Sequence, residues 1–266
     1  MLATVGDNCI DRYLAPVERS LVGGNAVNVA VNLVRLGHAA AYFGAVGDDE
    51  EGERTRAVLA RSGVDIASLK VVKPGRTSLT VIATSADGDR RFVSEDFGVC
   101  ALYRPDTQDI ARLETMAHVH IGWLNDGGRT KHALAAAGVS VSQDLSVNAE
   151  PRNIAADGLC IAFVSCDGDE DEARAVLNRS LAQGARLAVV MRGPRGSLAG
   201  SGGDVIAGSA LPVSVRDTTG AGDSFIAGFL SAHVAGKPIA DCLASGHEAA
   251  AYTCRIFGGF AQGEEH

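Results

Sequence analysis

The ten residues from position 216, R-D-T-T-G-A-G-D-S-F, hold the residue types whose spacing points most directly to chemistry. Gly220, Ala221 and Gly222 stand where a loop enters a predicted helix, so backbone N–H groups can converge on one point. The helix dipole makes that point suitable for a phosphoryl group. Asp223 follows directly, and a carboxylate there can accept the proton of an attacking hydroxyl. We therefore predict phosphoryl transfer to an alcohol, although a glycine-rich turn with an Asp cap would look the same.

A second group of polar residues surrounds the first predicted strand and the glycine pair at 23 and 24. Gly24 lets the backbone lie close to a ligand. Asn25 and Asn28 fall on one face of the helix that follows, and their amides can donate and accept hydrogen bonds, as a polyhydroxylated ligand requires. Asp7 and Asp11 follow the strand, at the edge where open α/β sheets bind ligands. These five residues are predicted to bind the substrate; a helix cap and a turn are the alternatives for the asparagines and Asp7.

The elements that must position these residues alternate between short apolar runs and amphipathic stretches. Such alternation predicts a mainly parallel sheet covered by helices on both faces, an α/β fold. The predicted strands are 2–5, 40–46, 118–121, 139–141, 159–164 and 187–191, and the predicted helices are 25–36, 50–62, 128–137, 170–183 and 223–235.

Two segments, 12–21 and 78–95, have strand-like composition and contain no helical stretch. The second contains A-D-G-D at 86–89, a hairpin turn signal. We predict a small antiparallel layer, with strands within about 11–22 and 76–96, that acts as a lid over the ligand. Lid edges exposed to solvent are commonly covered by a second copy, so a homodimer through the lids is expected.

Composition narrows the function classes. The 24 Lys and Arg residues against 32 Asp and Glu give a net charge of −8, and there is no basic run, which argues against nucleic acid as a partner. The longest uncharged stretch, residues 20–34, contains three asparagines and is too short to span a membrane. Six cysteines without a C-x-x-C pair and the absence of a basic region before an apolar one predict a cytoplasmic protein with reduced thiols.

The stretch D-T-T-G-A-G-D-S-F-I-A-G-F resembles the C-terminal signature of the ribokinase or PfkB family of carbohydrate kinases. The block S-L-V-G-G-N-A-V-N-V-A-V-N-L-V-R-L-G, followed by V-G-D-D and Gly52, resembles the N-terminal signature of that family. The resemblance implies one ribokinase-like domain over 1–266, a three-layer α/β/α sandwich with a β-strand lid. It also implies transfer of the γ-phosphoryl group of ATP, with Mg²⁺, to a primary hydroxyl of a ketose, with Asp223 as the base.

Within the family, the chain most resembles kinases of glycated amino acids, which implies the 6-hydroxyl of fructoselysine or a related fructosyl-amino acid as the acceptor. The alternatives are a kinase of a free sugar, such as fructose, ribose or a ketodeoxy acid, and a catalytically silent protein that binds sugar or nucleotide. Retention of Asp223 argues against the silent protein, because binding alone needs no base.

The resemblance also assigns nucleotide and metal contacts. The run V-M-R-G-P-R-G-S matches the family's nucleotide turn T-L-G-x-x-G, which implies nucleotide contacts from Arg192, Gly193 and Gly196, together with Gly222. The sequence M-R replaces T-L there, so this match departs from the family pattern. Asp217 and Thr219 match positions that help to bind a monovalent cation such as K⁺.

A further departure concerns magnesium. The family's N-x-x-E motif is replaced by S-C-D-G-D-E, so Asp167 and Glu170 are the candidates for Mg²⁺, and an acidic helix start is the alternative. The run Q-D-L-S at 143–146 closes another strand and is predicted to face the substrate. Trp123, just past a strand, either stacks on a ligand or packs in the protein.

Overall fold

A nine-stranded sheet forms the centre of the computed structural model, which describes residues 1–84 and 90–263. The strands run in the order β13-β12-β11-β10-β9-β8-β1-β4-β5. All neighbours pair in parallel except at β11–β12 and β12–β13, which are antiparallel. Their bounds are β1 Leu2–Val5, β4 Ala40–Gly47, β5 Asp65–Val72, β8 His118–Ile121, β9 Val141–Asp144, β10 Ile161–Ser165, β11 Leu187–Met191, β12 Ser197–Ser201 and β13 Asp204–Gly208.

Helices cover both faces of this sheet, and the alternation of strand side chains separates the two cores. Leu2 and Ala40 pack with helices α1 and α6, whereas Ala3 and Ala41 pack with α3 and α4. The result is the predicted three-layer α/β/α sandwich. The helices are α1 Asn25–Arg35, α2 Glu50–Arg61, α3 Thr107–Leu113, α4 Arg129–Ala136, α5 Glu170–Ala182, α6 Ala221–Val234 and α7 Ile239–Thr253.

A separate four-stranded sheet lies beside the main one, in the order β3-β2-β6-β7. It consists of β2 Cys9–Tyr13, β3 Ser20–Gly23, β6 Leu79–Thr84 and β7 Arg90–Asp96. We call it the lid sheet. The segment 12–21, predicted as strand-like, is divided by a turn in which the Tyr13 N–H donates to the Arg19 carbonyl at 2.8 Å. The pairing of β2 with β6 is parallel rather than antiparallel. The hairpin turn predicted at 86–89 lies outside the described residues.

Five elements of the structure were not among the predicted ones: β5, β12, β13, α3 and α7. The strands β12 and β13 are short and rich in small residues, so they lack an apolar run. The two residues between them, Gly202 and Gly203, have φ of 63° and 106° and form a two-residue hairpin loop. Helix α7 consists largely of small residues and carries little amphipathic signal. No helix in the described ranges is long and apolar enough to cross a membrane.

Candidate active site

A cavity of about 430 Å³ opens between the lid sheet and the carboxyl ends of the central strands. It is the place where the two sequence motifs meet, since α1 and the start of α6 contribute to the same wall. The predicted site residues that line it are Asp7, Asp11, Gly24, Asn25, Asn28, Trp123, Ser146, Thr219, Gly220 and Asp223.

Asp223, in the first turn of α6, is held by two amides of α1. The Nδ2 atom of Asn25 donates to Oδ1 of Asp223 at 2.6 Å, and Nδ2 of Asn28 donates to Oδ2 at 2.7 Å. Both amides stabilise the anionic carboxylate. Each oxygen keeps a further lone pair, so the carboxylate can still accept a proton from a hydroxyl in the cavity.

Burial, together with the negative charges of Asp144 and Asp7, raises the pKa of Asp223 to about 7 against the lowering effect of the two amides. A carboxylate that titrates near neutral pH is well matched to general-base catalysis. The crowding of carboxylates around Asp223 is therefore consistent with the role predicted for it.

Asp7 and Asp11 have different surroundings. The carboxylate of Asp7 accepts the backbone N–H of Asn25 at 2.9 Å and those of Ala26 and Trp123 at 3.2 Å, so it caps α1 while it lines the cavity. Asp11, on β2, is 4% exposed and accepts a hydrogen bond from Cys9 Sγ at 3.2 Å. Sequence reasoning left a turn and a ligand as alternatives for Asp7; the cap is present in the structure, and the ligand role stays a prediction.

Two glycines are required by close approaches. Gly24 has φ of 107°, and a Cβ atom there would lie 2.6 Å from the Asn8 Cα atom. Gly220, immediately before α6, has φ of 70°, and its Cβ would lie 2.3 Å from the Gly259 Cα atom. Any side chain at either position would both strain the backbone and separate the segments that bring Asn25 and Asp223 together.

The predicted anion hole lies at the start of α6. The Ala221 N–H donates to the Thr218 carbonyl at 3.2 Å and is turned into the loop. The N–H groups of Gly222 and Asp223 have no hydrogen-bond partner in the described part of the chain, and Gly222 is exposed. The structure thus offers a phosphoryl group the amides of Gly222 and Asp223 more directly than that of Ala221.

The predicted nucleotide turn and Gly222 do not line the cavity. The turn follows β11, whose Met191 Cε atom lies 3.9 Å from the position that a Cβ of Gly222 would take. Arg192 is half-buried, and its Nε atom has no hydrogen-bond partner among the described residues. Gly193 is exposed, and Gly196, with φ of 87°, closes the turn. None of these three residues lines the cavity.

The candidate metal residues fit their ions to different degrees. Asp167 and Glu170 are exposed just beyond β10, next to β11. Glu170 also pairs with Arg174 at 2.7 Å. Because Mg²⁺ is usually held by one or two carboxylates, waters and substrate phosphates, the open Asp167 fits such a role. No cluster of three or more His, Cys, Asp or Glu side chains with metal-binding geometry occurs in the described ranges.

Asp217 does not fit a cation ligand in this conformation. Its Oδ1 atom accepts the N–H and hydroxyl of Thr219 at 3.0 and 2.9 Å, and Oδ2 accepts the Tyr13 hydroxyl at 2.7 Å and the Gly258 N–H at 2.8 Å. These four hydrogen bonds use the four lone-pair positions of a carboxylate. We therefore derive no step through a monovalent cation.

Several site residues were absent from the predicted set. Tyr13 joins the lid sheet to the loop before α6, and Glu95, Asp96 and Phe97 bring the end of β7 to the cavity. Phe97 stacks on Trp123, with ring centroids 4.1 Å apart and an interplanar angle of 13°. These contacts join segments distant in sequence, so no local pattern signals them; the position of residues 95–97 at the end of a lid strand was the available hint.

Comparison with known proteins shows the family of the chain. The family model described as "pfkB family carbohydrate kinase" matches residues 15–154 and 156–260 of the chain. The fructoselysine 6-kinase of Escherichia coli (strain K12) is 36% identical over 259 residues, covering 97% of this chain and 98% of the relative. The fructosamine kinase FrlD of Bacillus subtilis (strain 168) is 32% identical, covering 98% and 93%.

Among solved structures, Arabidopsis thaliana ribokinase complexed with ribose and ATP aligns with a TM-score of 0.86 at 22% identity, covering 97% of this chain and 93% of that chain. Ribokinase from Thermotoga maritima gives a TM-score of 0.81 at 20% identity, with coverages of 97% and 94%. The fold is therefore ribokinase-like. The chain belongs to the pfkB family of carbohydrate kinases, and it is a sugar phosphotransferase.

Proposed function

We propose that the chain transfers the γ-phosphoryl group of ATP to the 6-hydroxyl of a fructosyl-amino acid of the fructoselysine class. Two relatives above 30% identity have names that specify fructoselysine and fructosamine. The observation from this chain that carries the proposal is the charge of the cavity. Its described side chains include no Lys, Arg or His but five carboxylates, those of Asp7, Asp11, Glu95, Asp96 and Asp223.

An acidic cavity favours a substrate that carries a positive charge. Fructose and ribose are neutral, whereas a fructosyl-amine has a protonated secondary amine next to the sugar. Focusing of the negative field in a cleft raises the local concentration of such a cation. The stacked rings of Phe97 and Trp123 at the same cavity add aromatic faces against which an ammonium can pack.

The geometry supports a direct mechanism. Asp223, held by Asn25 and Asn28, takes the proton from the attacking hydroxyl, and the amides at the start of α6 stabilise the transferring phosphoryl group. Arg192 reaches the nucleotide phosphates from the neighbouring turn. Mg²⁺, when bound with the nucleotide, would neutralise phosphate charge, and Asp167 would hold it through water.

The test is a substrate panel with ATP: fructoselysine, fructose, ribose, a ketodeoxy sugar acid and a neutral 1-O-alkyl fructose that matches the bulk of a fructosyl-amine. We expect kcat/KM for fructoselysine at least about tenfold above that for the neutral alkyl compound, since a charge-assisted contact is worth roughly 1.5–3 kcal/mol. Preference for a neutral sugar would contradict the proposal. Tight binding with no turnover of any sugar would identify a silent binding protein.

We also propose that the chain is a homodimer through the lid sheets. The outer strand β7 has no further strand beside it in the described part of the chain, and Val93 on it is 56% exposed. The outer edge of β3 is instead covered by Gln262 and Arg54, which bond the backbone of Val22 and Ser20. Sedimentation should give a dimer at micromolar concentration. A monomer alone at that concentration would contradict this part of the proposal.

A further inference from the structure

Asp144, the last residue of β9, belongs to the run 143–146 that was predicted to face the substrate, but it does not line the cavity. It is 4% exposed, and its Oδ1 atom accepts the backbone N–H of Ser146 at 2.9 Å. Its Oδ2 atom accepts a hydrogen bond from Asn25 Nδ2 at 3.1 Å, and the same nitrogen donates to Asp223 at 2.6 Å. One amide group therefore bridges two carboxylates that come from distant parts of the chain.

We propose that Asp144 is a positioning residue for phosphoryl transfer: it accepts one hydrogen of the Asn25 amide and so keeps the other hydrogen directed at Asp223. This inference rests on Asp223 being the base of the proposed function.

The rest of the Asn25 side chain shows why a positioning residue is needed. Its Oδ1 atom is buried and has no hydrogen-bond partner among the described residues, so no contact to the oxygen fixes which way the amide faces. Rotation of the amide by half a turn would put that oxygen against the Asp223 carboxylate, which is repulsive when both are acceptors. Asp144 excludes this orientation because its own carboxylate also requires the NH₂ end. Only the bridge makes both contacts favourable.

The same arrangement has an electrostatic consequence for Asp223. The titratable groups that face it are Asp144 at the end of β9 and Asp7 at the end of β1, while Asn25 and Asn28 face it from α1 and the amide dipoles of α6 lie beneath it. Burial raises the pKa of Asp144 to about 6, so it is largely ionised at neutral pH. Its negative charge opposes ionisation of Asp223. Removing that charge should therefore make Asp223 lose its proton at a lower pH.

The experiment compares wild type with Asp144→Asn and Asp144→Ala, using whichever sugar the wild type phosphorylates fastest. In Asp144→Asn we expect the acidic limb of kcat/KM against pH to move about one unit to lower pH, since one like charge is removed. Because every variant is assayed with the same nucleotide and sugar, a difference in the pH profile comes from ionisation of the enzyme and not of the substrates. In Asp144→Ala we expect a roughly tenfold loss of kcat with KM for the sugar changed less than about threefold, because the Asn25 amide is no longer oriented.

Asp126→Asn is the matched control. Asp126 is also buried and also accepts backbone N–H groups, those of Gly128 and Thr130 at 2.8 Å, but it does not line the cavity. In Asp126→Asn, the acidic limb of kcat/KM against pH should lie at the same pH as in the wild type. A limb that does not move in Asp144→Asn, or that moves equally in Asp126→Asn, would overturn the inference.

Two further measurements keep the inference testable if a variant is unstable or turnover is absent. In an Asn25→Ala background, Asp144→Ala should cost no additional kcat, because the amide through which it acts is gone; an undiminished additional loss would overturn the inference. Without turnover, carbon NMR of the carboxyl groups in the ligand-free protein should show the titration of Asp223 at lower pH in Asp144→Asn. An unchanged Asp223 titration would overturn the inference while leaving the choice of sugar unaffected.

Discussion

The two sides of the active site differ in how far the chain alone completes them. On the sugar side, Asn25 and Asn28 are 7% and 3% exposed, and each donates to Asp223 within 2.7 Å. On the nucleotide side, Gly193 and Asp167 are exposed, and the Arg192 Nε atom lacks a hydrogen-bond partner among the described residues. On the sugar side the amide nitrogens are already bound to the base, although both Oδ1 atoms lack a partner among the described residues. On the nucleotide side the turn is exposed.

This difference has a physical meaning for catalysis. A base must be oriented before the reaction, because reorganising charged groups during proton transfer raises the barrier. A nucleotide brings several charged oxygens and its own metal ion, so the protein can leave those contacts to be completed on binding. We therefore expect substitutions on the sugar side to change kcat and substitutions on the nucleotide side to change KM for ATP.

The largest expected effect is that of Asp223→Asn, which keeps the shape of the sugar side and removes its base. We expect kcat to fall about 10²–10⁴-fold, while sugar binding, measured by calorimetry, hardly changes. Asp241→Asn, an exposed Asp in the first turn of α7, is the matched control and should behave as wild type. A kcat within a few-fold of wild type would show that Asp223 is not the base.

The next effect tests the join between the two sides. Gly220→Ala places a Cβ 2.3 Å from the Gly259 Cα and 3.2 Å from Asn28 Nδ2, so the start of α6 must move. We expect kcat to fall about 10²-fold, as for loss of an anion-hole contact, and the free energy of unfolding to fall by about 2–4 kcal/mol.

The control is Gly236→Ala, which has a similar φ of 73° but no atom within 4 Å of the added Cβ. It should lose only about 1–2 kcal/mol in chemical denaturation, the cost of the left-handed backbone conformation, and keep its turnover. Equal effects of the two substitutions would show that close packing at Gly220 does not matter.

A smaller effect is expected for Arg192→Ala, on the nucleotide side. Loss of a charge-assisted contact to phosphate should raise KM for ATP about tenfold, with KM for the sugar unchanged. The control Arg195→Ala removes an exposed arginine of the same turn, whose guanidinium lies 3.4 Å from the Cys166 carbonyl, and should change KM for ATP much less. A change in KM for the sugar instead would show that Arg192 does not act on the nucleotide side of the active site.

The smallest effect concerns the connection of the lid sheet to the loop before α6. Tyr13→Phe removes a hydroxyl that lies 2.7 Å from both Asp217 Oδ2 and Thr219 Oγ1. Thermal or chemical unfolding should show a loss of about 1–3 kcal/mol, the cost of leaving buried polar groups less satisfied. Tyr252→Phe, at a 38% exposed tyrosine, should be close to neutral. No difference between the two would mean that this connection is not needed.

The parts of the fold that follow local patterns could be predicted from the sequence. The strands at 2–5, 118–121 and 187–191 have the bounds found in the structure, because each is a short segment buried on both faces. The hairpin of β12 and β13 could not be recognised in this way, since its small residues bury little apolar surface.

In the candidate site, too, the features with a local sequence signal could be predicted and the long-range contacts could not. Asp223 and the glycines before it were predicted because helix termini impose local requirements on sequence. The hydrogen bond from Asn25 to Asp223 spans 198 positions, and the stacking of Phe97 on Trp123 joins the two sheets. Such contacts depend on how strands are ordered, which spacing along one sequence does not encode.

The most direct test of the account is the ionisation of Asp223 in the ligand-free wild type, measured by carbon NMR of the aspartate carboxyl groups against pH. We expect one resonance, missing from Asp223→Asn, with a titration midpoint near pH 7, because burial and the neighbouring Asp144 and Asp7 hold its pKa at about 7. A midpoint for Asp223 near pH 4, the ordinary value for an exposed aspartate, would contradict the claim that the sugar side prepares a base.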